Sequence, residues 1–130
     1  LLIKFADFLE PILKRLFPSV KSDKPLDYIA SNVAANMIGL GSAATPYGLK
    51  AMEELQKENN DKSKASEAMI TFLVLNTGGV TLIPMTVISM RMMYGSINPT
   101  SIIIPSIIAT LISSISGLVI DYIIRRKNAK

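Results

Sequence analysis

Two asparagines, each followed by a pair of glycines, are the side chains in this 130-residue sequence best placed to bind something: Asn36 with Gly39 and Gly41, and Asn76 with Gly78 and Gly79. Around them stand other uncharged donors and acceptors, Asn32, Ser42, Thr45, Thr77 and Thr81. Amides and hydroxyls without a neighbouring base suit reversible hydrogen bonding to a polar solute, not bond cleavage. The sequence contains 0 His and 0 Cys, which removes the commonest general base, the thiolate nucleophile and the softest metal ligands. No catalytic residue, metal site or cofactor is expected, and the chain reads as a non-enzyme. The lone "GLG" at Gly39–Gly41 lacks the lysine spacing of a phosphate loop. The candidate binding set is therefore Asn32, Asn36, Gly39, Gly41, Ser42, Thr45, Asn76, Thr77, Gly78 and Thr81.

The elements that must hold these residues show in the placement of charge. Hydrophobic residues make up 49% of the chain, and Tyr28–Leu49, Ala68–Met90 and Met92–Ile120 contain no Lys, Arg, Asp or Glu. About 20 uncharged residues suffice for a helix to cross a bilayer, whereas a soluble helix of that length normally carries a charged face. The expectation is one domain over 1–130, an all-α integral membrane protein with broken or re-entrant helices; a soluble bundle with apolar central helices is the alternative. The net charge of +4 comes from Lys14, Arg15, Lys21, Lys24, Arg125, Arg126, Lys127 and Lys130 among others, flanking the apolar stretches as topology signals do. No arginine run is interleaved with aromatics, so nucleic acid is not an expected partner. The lipid bilayer and a small solute are.

Leu2, Phe5, Phe8, Leu9, Ile12, Leu13, Leu16 and Phe17 recur at helical spacing, predicting an amphipathic helix that Pro11 bends and Pro18 ends. "KSDKPLD" reads as a polar connector, which completes an N-terminal section over 1–27. A helix of small residues is expected over 28–44, loosening through "GLGSAA", and Thr45-Pro46 predicts a new start running to about Glu58. Glu53 is spaced to pair with Lys57, and Asp61 or Ser63 to cap the following helix. "NTGG" and Pro84 should break the Ala68–Met90 segment at mid-depth, "YGSINPT" is a turn, and the last apolar segment is a spanning helix with a cytoplasmic basic end. Asp121 is expected to pair with Arg125. Met90, Met92 and Met93 form an interfacial patch beside Arg91.

Inside lipid, unwound backbone survives only where protein or water satisfies it, so paired breaks point to a cavity. Close packing is the competing explanation, because small residues let helices approach and Asn, Ser and Thr join them by hydrogen bonds. The chain opens at Leu1 without a signal peptide, which suggests an N-terminally truncated sequence.

Two stretches, "SNVAANMIGLGSAATPYGLKAMEEL" and "SEAMITFLVLNTGGVTLIPMTVISMRMMYGSINPT", resemble the spore maturation branch of the nucleoside-recognition (gate) domain family. Asn36, Thr45, Pro46, Asn76, Thr77 and Pro84 are in register with that pattern, while Ser42, Gly78 and Gly79 depart from it. The resemblance implies an integral protein of the bacterial cell membrane or forespore membrane. It would act in spore maturation and core dehydration with a sister protein, spore maturation protein B, passing or gating a small solute or water. A non-transporting membrane scaffold is the second expectation.

Overall fold

The apolar positions of the N-terminal segment repeat at the helical period, and in the computed structural model, which describes residues 2–128, they form α1 (Leu2–Leu16). Ala6, Leu9, Leu13 and Phe17 are buried, while Phe8 and Ile12 stay uncovered on the flank. Pro11 lies inside the helix and leaves it unbroken, and the chain turns out at Pro18. Among the described residues the rest is also helical: α2 (Asp23–Ile38), α3 (Gly41–Glu58), α4 (Glu67–Gly78), α5 (Met85–Met93) and α6 (Ile103–Asn128), with a 3₁₀ turn at Pro99–Ile102.

Three boundaries differ from expectation. α2 begins at Asp23, inside the supposed connector, because Pro25 falls in the first turn where its missing N–H costs nothing. α3 begins at Gly41, not Thr45. Gly39 (φ 82°) closes α2 with Leu40 N–H on Ala35 O at 2.8 Å and its own N–H on Asn36 O at 3.0 Å, a complete Schellman cap. Leu40 O then accepts from Ala43 N and Ala44 N, so the next helix starts at once. Thr45 only reaches back to Gly41 O at 3.4 Å, and Pro46 sits inside the helix. Finally, Ser66 caps α4 by accepting from Met69 N at 3.3 Å, while Asp61 turns on Ser63 instead.

α2 and α3 form an antiparallel hairpin. Its base is tied by Glu58, which accepts from Lys21 N at 3.0 Å, from Ser22 N at 3.2 Å and from the Ser22 hydroxyl. Above the base Lys50 lies over the Tyr28 ring at 5.7 Å and Asn32 Nδ2 donates to Ala44 O at 2.8 Å, with Gly48 beside Asn32 permitting close approach. Ile29, Leu26, Leu55 and Phe72 fill the core beside α1; burying a side chain of that size contributes about 1.5–3 kcal/mol. Lys57 pairs with Glu54 at 2.8 Å more closely than with Glu53 at 3.8 Å, and Lys24 meets the same Glu54 at 3.2 Å.

Donation by the Ser22 hydroxyl, then by the backbone N–H groups of Lys21 and Ser22, outweighs burial and holds the Glu58 carboxyl below its ordinary range. A depressed carboxyl stabilises the fold above the unfolded-state pKa, about 4.3, and loses that contribution as pH falls through the folded value. Glu58→Gln should therefore melt lower than wild type at pH 7, by about 1–2 kcal/mol for charged hydrogen bonds. The two melting points converge as pH falls from about 4.3 through the lowered folded-state value. A gap unchanged down to pH 3 counts against the clamp.

The second hairpin is longer. Its first arm is α4, an unwound stretch and α5; its second is the 3₁₀ turn and α6. The register holds along its length: Thr71 faces Asp121, Val74 faces Gly117, Gly78 faces Ser114, Thr81 faces Thr110, and Arg91 reaches Ser101. Arg91 also donates to Ser96 Oγ and Asn98 O, closing the tip around Tyr94–Asn98. The tip leaves Met92, Met93, Tyr94 and Ile97 uncovered. At the other end, Asp121 accepts from Thr71 Oγ1 at 2.8 Å and lies 3.1 Å from Arg125 Nε, an ion pair off hydrogen-bond alignment.

Among the described residues one helix is long and apolar enough to cross a membrane, the 29-residue run Pro99–Lys127. α4 and α5, with 12 and 9 residues, are each too short to cross alone.

Candidate functional site: two helix breaks joined by an asparagine pair

The tip of the first hairpin meets the unwound stretch of the second. Asn36 Nδ2 donates to Asn76 Oδ1 at 2.8 Å and lies 3.4 Å from Asn32 Oδ1. Backbone joins them as well: Met37 O, a carbonyl left over at the end of α2, accepts from Leu82 N at 2.8 Å and Ile83 N at 3.3 Å. Pro84 (φ −78°, ψ 66°) then forms an inverse γ-turn, with Met85 N on Ile83 O at 2.8 Å, before α5 starts. Gly39 lies so close that a Cβ there would sit 2.1 Å from Ile83 O.

A cavity flanks the asparagine pair on each side. One of about 320 Å³ is lined by Asn36, Gly39, Gly41 and Thr81, with Pro84 to Val87 from the second break and Ser106 and Thr110 from α6. The other, about 240 Å³, is lined by Asn32, Asn36, Gly41, Thr45, Asn76 and apolar neighbours including Met52 and Phe72. Asn36 and Gly41 border both. No charged side chain among the described residues lines either one. The lining offers amide and hydroxyl groups on an apolar wall, which suits a neutral polar solute or water. Among the described residues no three His, Cys, Asp or Glu gather as a metal site.

Of the ten candidate residues, Asn36, Gly39, Gly41, Thr45, Asn76 and Thr81 are brought together here. Asn32 borders the smaller cavity but is buried, and its amide is committed to Ala44 O at 2.8 Å, an approach that Gly48 permits. Gly78 faces Ser114, where a Cβ would come within 2.9 Å of the backbone, so it serves helix packing. Ser42 and Thr77 are exposed and line neither cavity. Sequence reasoning missed Ser106 and Thr110, whose i, i+4 hydroxyls were the available signal, and Asp121's bond to Thr71, for which there was none.

The chain is similar to Spore maturation protein A of Bacillus subtilis (strain 168). The two are 52% identical over 126 residues, 95% of this chain, and this chain spans 64% of the length of Spore maturation protein A. At that coverage both helix breaks lie inside the matched region. No family model matches the chain, and no solved structure matches it.

Proposed function

We propose that this chain is the membrane domain of a bacterial sporulation protein acting in spore maturation and core dehydration, and that its two hairpins form a gate for a small polar solute or water. The observation that carries the reading is the 2.8 Å Asn36–Asn76 bond, set between two uncharged cavities where both helices break. The name of Spore maturation protein A supports the sporulation setting, and the uncharged amide and hydroxyl lining of the two cavities supports a solute-binding role. Spore maturation protein B is the proposed partner. The role is non-catalytic, with no cofactor and no nucleic acid.

A membrane location, the cell or forespore membrane, is favoured by α6. A core helix of a soluble protein is mostly covered, whereas 6% of the most apolar 18-residue window of this run is buried in the molecule. With Arg125, Arg126 and Lys127 on the cytoplasmic side, Thr110 lies three turns from Asp121, about 16 Å along the helix. That is close to the middle of a hydrocarbon layer about 30 Å thick, so the breaks meet at mid-depth and the α2–α3 hairpin is re-entrant.

Gly41 gives the sharpest test. It borders both cavities, has helical φ, and nothing lies within 4 Å of a Cβ placed there. Gly41→Leu should fill the passage without disturbing the fold, and Asn36→Ala with Asn76→Ala should remove its polar lining. Each should lower solute flux in proteoliposomes, measured with and without spore maturation protein B, by about tenfold or more. Insertion should be unchanged, and the spore core should be less dense. Normal core density in the asparagine double variant would sink the gate reading.

The uncovered face of α6 favours a second reading, a non-transporting scaffold. There, substitutions on that face that break partner association matter, and both break variants behave as wild type.

A further inference from the structure

The two basic clusters, far apart in sequence, converge on one groove. Arg15 near the end of α1 and Arg125 and Arg126 near the end of α6 rim a cavity of about 580 Å³ whose floor is apolar, with Leu16, Ile115 and Leu118 among its lining. Glu67 is the one acidic side chain on the rim, so the lining charge is positive by two. Among the described residues neither Arg15 nor Arg126 makes an ion pair, and Arg125 is met by Asp121 alone. The floor continues into a second apolar hollow of about 540 Å³ between Pro11, Ile12 and Leu118.

Guanidinium groups over an apolar channel complement one kind of molecule, an amphiphile with an anionic head and a hydrocarbon tail. A free anion would leave the apolar floor uncovered, and a zwitterionic lipid would bring its own cation into a groove that is already positive. We infer that the groove seats an anionic phospholipid of the cytoplasmic leaflet. Its phosphate lies against Arg15 and Arg126, with Arg125 held beside them by Asp121, and an acyl chain lies along Leu118 and Ile115. This rests on the membrane reading above, since the groove is at the cytoplasmic end of α6. The lipid ties α1 to α6, which otherwise share little direct packing.

The test uses the whole chain purified in neutral detergent, with lipids retained on the protein counted by native mass spectrometry. Phosphatidylglycerol should be retained in preference to phosphatidylcholine. Arg15→Gln with Arg126→Gln should weaken phosphatidylglycerol binding by about tenfold or more, each basic residue near a membrane surface being worth about fivefold. Leu118→Trp, which fills the groove and leaves the charges in place, should weaken it as well. Equal retention of both lipids overturns the inference, as does unchanged affinity in both variants. So does equally tight binding of glycerol phosphate, or a chain-to-chain crosslink through Leu118→Cys in place of lipid. Carbonate extraction separates the two failures. If the protein stays in the membrane pellet without lipid preference, the lipid seat alone falls; if it is released, the membrane reading falls too.

Discussion

Gly39→Ala should lower the unfolding free energy by about 2–5 kcal/mol, from a left-handed φ costing about 1–2 kcal/mol and a forced overlap costing about 1–3 kcal/mol. The overlap is with a backbone carbonyl, Ile83 O at 2.1 Å from the new Cβ, already fixed by the γ-turn at Pro84. No rotamer change relieves it. The other glycines separate the two contributions. Gly95 has φ 72° but open space around a Cβ, so Gly95→Ala should show only the backbone cost, about 1–2 kcal/mol. Gly41 has neither liability, and Gly41→Ala should be neutral or stabilising by up to about 1 kcal/mol. Helical circular dichroism followed on heating in detergent checks all three. If Gly39→Ala and Gly95→Ala melt together, the hairpin tip does not touch the second break as described.

Asp121→Ala carries the second large effect. Asp121 is buried, holds Thr71 at 2.8 Å and faces Arg125 at 3.1 Å, so its removal leaves a largely covered guanidinium without its counter-ion. Breaking such a pair costs about 3–5 kcal/mol, mostly the penalty of the orphaned charge. Thr71→Val, which removes one hydrogen bond, should cost about 1 kcal/mol. Asp121→Leu together with Arg125→Leu should recover most of the loss, since apolar replacement of both partners is often close to neutral. A double variant as unstable as Asp121→Ala would show that the charge pair is not the cause.

How far the sequence was legible depended on whether the signal was local. The period of Leu9, Leu13 and Phe17 placed α1, and the absence of charge from Met92 to Ile120 marked α6. Thr45-Pro46 misled because it is a sound start signal read alone. The Schellman closure at Gly39 and Leu40 was complete four residues earlier, and its Leu40 carbonyl took the N–H groups of Ala43 and Ala44. The asparagines were legible as a candidate pair, but their 2.8 Å bond depends on bringing together residues of separate hairpins. Most hidden was the role of Met37: a backbone carbonyl leaves no mark on sequence, yet it carries the main-chain link between the breaks. Small residues proved to have divided duties. Ala34, Ala51 and Gly78 serve contact between helices, while Gly41 borders open space.

The link between Met37 and Leu82 also orders the protein's manufacture. The carbonyl leaves the ribosome about 45 residues before its partners, several seconds at about 5–20 residues per second. During that interval the first hairpin presents the unpaired Met37 carbonyl and the Asn36 amide at its apex, and hydrocarbon refuses such groups. In the membrane setting proposed here, the first hairpin therefore waits at the surface until the second has been delivered. It then enters along the unwound stretch that satisfies it, so the hairpin translated earlier is the one buried later.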